Sequence, residues 1–316
     1  MIDLLALDRE GLRSAMKDLL GQAYRGDQVR NWIYRKGATS FDAMTNLSED
    51  ARATLAERCV IGTLSVRDRL ESASGDTVKW LFETADGEAV ETVLIRDPDR
   101  RTACISTQIG CPLGCRFCAS AAGGYVRDLT VAEIVEQALR VKNEDGRLTN
   151  VVVMGMGEPL LNVENTIAAI HRIHAPWALN VGARRTTVST AGIVPGIRRL
   201  AEEHMQWKLA ISLHAPFDTT RRELMPITRT YPIAEVIKAA RGYARTTGTQ
   251  ITYEYILIPE INMRPRDANR LVELLKNEPA KVNLIPMNPV SDSEYSAPSW
   301  EACVEFQQRL KSQGVV

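Results

Sequence analysis

The 316-residue chain carries no net charge: 39 Lys and Arg stand against 39 Asp and Glu. A field spread over the whole molecule is therefore excluded as a reason for binding polyanions, and any such field has to be local. No run of about 18 apolar residues is present, which excludes the usual membrane-spanning helix. Residues 1–15 lack a basic region followed by an apolar one, so no signal peptide is expected. Cysteine is scarce, six in all, yet three fall between Cys111 and Cys118. Clustered cysteines without an export signal favour a metal centre over disulfides and a reducing, cytoplasmic setting. The remaining composition, 45% hydrophobic and 25% charged, is that of an ordinary globular protein long enough for a sizeable core.

Cys111-Pro112-Leu113-Gly114-Cys115-Arg116-Phe117-Cys118 has the spacing C-x3-C-x2-C and runs into the small residues Ala119-Ser120-Ala121-Ala122-Gly123-Gly124. Thiolates are soft ligands that suit iron–sulfur clusters, zinc or cuprous copper. A four-iron cluster held only by cysteine takes four thiolates. Three leave one iron open to a small molecule. The expectation is a [4Fe–4S] cluster whose open iron takes the amine and carboxylate of S-adenosylmethionine (SAM). Reductive cleavage of the sulfonium then gives a 5'-deoxyadenosyl radical. A zinc knot completed by Cys104 or a histidine is the alternative, but only Cys115 and Cys118 form the paired arm that structural zinc uses.

Along the chain, residues 1–60 read as helical. Leu4, Leu5, Leu12, Met16, Leu19 and Leu20 recur at helical spacing, Asp27 is placed to cap a short helix, and Ser48 another. Trp32 reads as core. Tyr24, Arg25, Arg30, Arg35 and Lys36 read as a basic, aromatic side, although nine basic residues there balance nine acidic ones. Residues 61–98 alternate like strands, with Asp86-Gly87 as a hairpin turn. Glu91 in that hairpin reads as an outward strand residue.

From residue 99 strands and helices alternate. Strands are predicted over 102–107, 150–154, 185–189, 207–213, 250–258 and 281–286. Helices are predicted over 131–143, 163–174, 194–204, 232–246, 266–277 and 299–313. Thr130 and Glu133 form a capping box for the first helix. Six such units imply parallel βα crossovers, and the cysteine loop after the first strand favours a partial (β/α)6 barrel. Active sites of such barrels gather at the C-terminal strand ends. Those ends carry Gly157 and Glu158, Ser189, Ser212-Leu213-His214, and Asn288. Residues 170–230 hold nine basic against four acidic residues, an excess of five that could steer a phosphate backbone. The predicted domains are a helical accessory domain (1–60), a β-hairpin linker (61–98) and the core (99–316).

The chain resembles the RlmN family of radical SAM RNA adenine-C2 methyltransferases. The likeness rests on Arg30-Asn31-Trp32-Ile33-Tyr34-Arg35-Lys36-Gly37, Met44-Thr45-Asn46-Leu47-Ser48, Lys79-Trp80-Leu81, Val90-Glu91-Thr92-Val93 and Cys104-Ile105-Ser106-Thr107-Gln108-Ile109-Gly110-Cys111. It implies an α/β fold, a partial (β/α)6 radical SAM barrel with an RNA-binding N-terminal domain. It implies that Cys111, Cys115 and Cys118 hold the cluster. Gly157, Glu158, Ser189, Ser212, Leu213, His214 and Asn288 would bind SAM. Glu91 would be the proton acceptor and Cys104 a reactive thiol that forms a transient disulfide with a methyl-carrying cysteine. Implied partners are 23S rRNA before ribosome assembly is complete, tRNA, and a flavodoxin-like electron donor. The family's methyl-carrying cysteine lies in a segment of the type D-I-x-A-A-C-G-Q. This chain ends at Gly314-Val315-Val316 without it, and the expectation is a truncated chain. Cys303, on a stripe with Trp300 and Val304, reads as core. Methylation at adenine C8, as in the related Cfr class, and a non-catalytic RNA-binding role are the competing readings.

Overall fold

The computed structural model describes residues 1–276, 280–289 and 294–315. The chain forms two compact units. The first comprises Met1–Ile109, Arg127–Met156 and Glu164–Thr186; the second comprises Gly110–Val126, Gly157–Val163 and the chain from Thr187 onward.

In the first unit, strand Asn150–Val153 pairs parallel with Arg101–Cys104. Antiparallel strands Ala89–Arg96, Thr77–Glu83 and Ser65–Glu71 follow in that order. The hairpin is thus part of the sheet. Its turn needs Gly87, whose φ of 82° suits a residue without Cβ. Alternation places Val78, Trp80 and Phe82, with Val90, Thr92 and Leu94, on the buried face. Strand Ser65–Glu71 is exposed throughout. Its charges and a bulge between Val66 and Asp68 protect the edge from further pairing. Helix Val131–Asp145 begins at the expected capping box. Its buried Gln137 accepts from the Thr92 hydroxyl and the Ser106 N–H and donates to the Ser106 carbonyl. That side chain ties helix to sheet where a methylene would leave three polar groups unpaired.

The N-terminal helices Arg9–Leu20, Arg25–Tyr34 and Glu49–Arg58 belong to this unit. Ser48 caps the third as expected. Asp27 caps nothing: the second helix starts before it, and its carboxylate instead pairs with Arg9, Arg13 and Arg30. Trp32 is not core either. It is half-buried, its Nε1 donates to Asn46, and the Lys36 ammonium sits 3.5 Å from its ring centroid. Tyr34 is the buried aromatic. Arg172, on helix Val163–His174, donates to the Leu5 and Leu7 carbonyls. Its guanidinium and that of Arg30 also lie against the ring of Trp177.

In the second unit, the strand Thr186–Thr190 (from Thr187 on) and strands Lys208–Ser212, Ile251–Leu257 and Ala280–Pro286 run parallel in this order. Helices Val194–Ala201, Ile233–Thr247, Pro265–Leu275 and Trp300–Lys311 follow the strands. Each of the six predicted strand–helix pairs is present in the chain, with ends shifted by a few residues. Asn277 of one predicted helix and Val316 lie outside the described residues. On the last helix the buried stripe is Cys303, Phe306 and Leu310, while Trp300 is 72% exposed. Cys303 is core as expected, but the stripe is turned away from Trp300.

Candidate active site

In the second unit the three cysteines lie on a loop shaped by two left-handed glycines. Gly110 has φ 71°, and a Cβ there would stand 1.8 Å from the Gly124 carbonyl oxygen, the same oxygen that accepts the Cys111 N–H. Gly114 has φ 65°. The Arg116 N–H donates to the Leu224 carbonyl, which docks the loop on helix Asp218–Leu224. Leu113, Cys115 and Phe117 pack on the apolar cluster of Ala191, Ala215, Leu224, Met225, Ile256, Ile258 and Met287. Phe117 meets His214 edge-on at 4.8 Å.

The thiols feel one another. Burial pushes Cys115 up to about 12, with Cys118, Cys111 and Glu158 adding to the rise. Burial also raises Cys111, against an opposing hydrogen bond from the backbone of Leu113. Among the described residues no three His, Cys, Asp or Glu side chains converge on the position of a single ion. A tetrahedral zinc draws its ligands onto one atom, whereas a multi-iron cluster spreads its thiolates over several irons. Three soft donors on one loop, with no fourth cysteine beside them in the sequence, suit a cluster with one open iron.

The strand ends around them are fixed by buried polar groups. Glu158 is 3% exposed. Its carboxylate accepts the Leu160 N–H at 3.0 Å and the Ala191 N–H at 2.7 Å. Burial nevertheless lifts it to about 7. His214, at φ 56°, is buried; its Nδ1 accepts the Ile256 N–H at 3.0 Å, and burial lowers it to about 3. Asn262, fully buried, donates to the His214 and Ile256 carbonyls and accepts the Ile258 N–H. Ser189 and Ser212 are half-buried, Leu213 is buried, and Asn288 is exposed. Gly157 has φ 98°.

The first unit holds the other two expected residues. Glu91 and Cys104 lie close enough that the Glu91 charge raises the thiol, although burial does most of the work in bringing it to about 11. The pairing of Ala89–Arg96 with Arg101–Cys104 stops at Val93. Beyond that point the backbone of Glu91 finds other partners. Its carbonyl accepts the Ser106 hydroxyl at 2.6 Å, and its N–H points at the Met156 sulfur at 3.4 Å. Ser106 Oγ in turn accepts the Met156 N–H at 2.8 Å. The carboxylate is 42% exposed and pairs with Lys79 Nζ at 2.9 Å.

Sequence reasoning missed Arg221, Asn262 and Ser106. Arg221 counts among the basic residues of 170–230, yet it is wholly buried while the adjacent Arg222 is exposed. The available signal was Leu224, three residues on and on the same helical face. Arg172 is buried too, so the basic excess of residues 170–230 overstates the surface field: seven exposed or half-exposed cations against four acids, not nine. All six cysteines are free, and the implied transient disulfide of Cys104 finds no support here.

The profile of the radical SAM superfamily matches residues 105–272, and that of the ribosomal RNA large subunit methyltransferase N-terminal domain matches residues 2–61. The chain is 45% identical over 316 residues to the probable dual-specificity RNA methyltransferase RlmN of Symbiobacterium thermophilum, covering 99% of this chain and 85% of that protein. It is 45% identical to the protein of the same name from Thermotoga sp. (strain RQ2), covering 100% and 92%. It is also similar to the crystal structure of a radical SAM methyltransferase from Sphaerobacter thermophilus, with a TM-score of 0.96 and 43% identity over 100% of this chain and 94% of that one. At that likeness the fold is the α/β radical SAM fold expected from the strand–helix alternation. The expectation of a truncated chain finds no support in these coverages.

Proposed function

Starting from a chain that belongs to the RlmN family of radical SAM methyltransferases, we propose that it methylates C2 of adenine in RNA, at adenine 2503 of 23S rRNA and adenine 37 of tRNAs. The observation that carries this reading is the C-x3-C-x2-C loop, docked through Leu113, Cys115, Phe117 and the Arg116 N–H, in a chain 45% identical to a probable RlmN methyltransferase. Cys111, Cys115 and Cys118 would hold a [4Fe–4S] cluster. Gly157, Glu158, Ser189, the backbone of Ser212–His214, and Asn288 would receive SAM. When bound, that pair supplies one-electron cleavage of the sulfonium, and with it a radical able to functionalise a carbon that is not nucleophilic.

The residues of the chain do the rest. Gly157, without a side chain, allows SAM close to the backbone. Glu91 accepts the C2 proton as the methyl group is delivered. For that it has to be reachable, and its half-exposed carboxylate, 2.9 Å from Lys79 Nζ, supports this. Cys104, held as a neutral thiol by burial, is the second reactive sulfur beside it. The methyl carrier is a cysteine by family resemblance; Cys59 and Cys303 are buried in cores and are not assigned that role. A flavodoxin-like donor in a reducing cytoplasm would feed the electron. No helix among the described residues is long and apolar enough to cross a membrane.

The test is anaerobic reconstitution followed by incubation with SAM, a reductant and unmodified 23S rRNA fragments or tRNA, read by nucleoside mass spectrometry. 2-Methyladenosine is expected. 8-Methyladenosine would reassign the position, and bound RNA with no SAM cleavage would replace the enzyme by a binding protein.

A further inference from the structure

Arg221 is a charge with no exposure at all. Among the described residues, every hydrogen bond it makes goes to an uncharged oxygen. Nε donates to the Leu213 carbonyl at 3.0 Å, Nη1 to the Thr228 hydroxyl at 3.0 Å, and Nη2 to the carbonyls of Ser212 at 3.0 Å and Ala191 at 2.6 Å. Three of these oxygens stand at the C-terminal ends of two neighbouring parallel strands, Thr186–Thr190 and Lys208–Ser212. The Ala191 peptide is gripped from both sides: its N–H by Glu158 at 2.7 Å, its carbonyl by Arg221.

A clamp on carbonyls does not need a charge. Asn262 performs the same task on the His214 and Ile256 carbonyls with a neutral amide. Burying a guanidinium without an acid costs several kcal/mol, by an order-of-magnitude reckoning. The structure offers a reason for the charge. The helix that carries Arg221 is the one on which the cysteine loop docks, through Arg116 N–H and the Leu224 carbonyl at 3.0 Å. Cys115 packs with Ala191 and Leu224 in one cluster. Cys115 is the ligand that lies near enough for its charge, once it is bound to a cluster as a thiolate, to act on the guanidinium.

We propose that Arg221 is a positioning residue of the cluster and SAM site. Its charge offsets the negative charge of a cluster ligated by Cys115, and its planar fork fixes the ends of the strands that carry Ser189 and Ser212–His214. This inference rests on the proposed function. The charge around a cluster and its hydrogen bonding set the reduction potential, and only Arg presents several donors in a rigid plane.

The experiment compares the reconstituted wild-type protein with Arg221→Gln and Arg221→Lys. Iron and sulfide content, the cluster midpoint potential by spin resonance during redox titration, and SAM affinity by calorimetry are read for each. The reduced cluster is the more negative form, so Arg221→Gln is expected to shift the midpoint to more negative values. Arg221→Lys keeps the charge and should leave the midpoint near that of wild type. Both should bind SAM at least about tenfold more weakly, because strand ends held by a fork are released. An unchanged midpoint in Arg221→Gln, or an unchanged SAM affinity in Arg221→Lys, overturns the inference. Should Arg221→Gln fail to fold by circular dichroism, the Lys protein decides alone on SAM affinity. A wild-type protein that takes up no cluster defeats the proposed function instead, whereas loaded variants that match wild type defeat only the role of Arg221.

Discussion

Glu91 and Glu158 are two carboxylates treated in opposite ways. Glu91, in the first unit, is 42% exposed, faces a lysine, and is held by its backbone. Glu158, in the second unit, is 3% exposed and has both oxygens committed to backbone N–H groups. The same contrast runs through the units around them. In the second unit the polar groups near the cysteine loop are withdrawn from water and spent on main-chain partners. In the first, the candidate base stays reachable while Ser106 and Met156 fix the chain behind it. A site that holds a cofactor gains from groups that cannot reorient. A site that takes a proton from a large substrate needs one group free to meet it.

The strongest break of this comparison is at the thiols. Replacing Cys111, Cys115 and Cys118 by Ala should abolish iron and sulfide uptake after anaerobic reconstitution, with the far-ultraviolet dichroism unchanged. Full iron content in that variant would sink the cluster assignment. Next comes Glu91→Gln. Methyl transfer should fall by at least about 100-fold, the usual scale of a lost general base, while SAM cleavage persists. Its stability should stay within about 1 kcal/mol of wild type, since exposed ion pairs contribute little. RNA methylation at the wild-type rate would remove Glu91 from its role.

Asn262→Ala tests the second unit's architecture. It leaves the His214 and Ile256 carbonyls and the Ile258 N–H unpaired in the interior. We expect a loss of about 3 kcal/mol in denaturant unfolding, given about 1–3 kcal/mol for each buried group left unsatisfied. A loss below about 1 kcal/mol would mean that water replaces the amide.

The smallest effect concerns pH. His174, in the first unit, lies 3.1 Å from the Thr186 hydroxyl, and burial, with the nearby His171 charge, lowers it from 6.5 to about 4. The folded chain therefore resists protonation that the unfolded chain accepts. Its contribution is fully present above pH 6.5 and is lost as pH falls from 6.5 towards 4. His174→Gln should flatten the dependence of the denaturant midpoint between pH 7 and pH 5. Parallel curves for the two proteins would show that another group sets the slope.

Legibility followed the range of the interaction. Helix Val131–Asp145 was readable because its cap and stripe are local patterns, Thr130 with Glu133 and apolar residues three and four apart. Asp27 misled because a capping residue and an ion-pairing residue look alike until Arg9 and Arg13 are brought beside it. Trp32 misled in the same way: its indole is covered by Lys36 and Asn46, not by core.

The sequence by itself determined the alternation of strands and helices, the three thiols on one loop, and the glycines that let that loop turn. Spacing along a chain specifies these, and so does the left-handed backbone that side chains resist. Only the tertiary structure decided the access of the acidic groups. Glu91 and Glu158 are the same residue in sequence, and only the side chains and backbone folded against each distinguish them. The same holds for Arg221 and Arg222, adjacent in the chain, one enclosed by four oxygens and the other in water. Burial is a property of the packed chain, and the cost of burying a charge falls only where packing puts it.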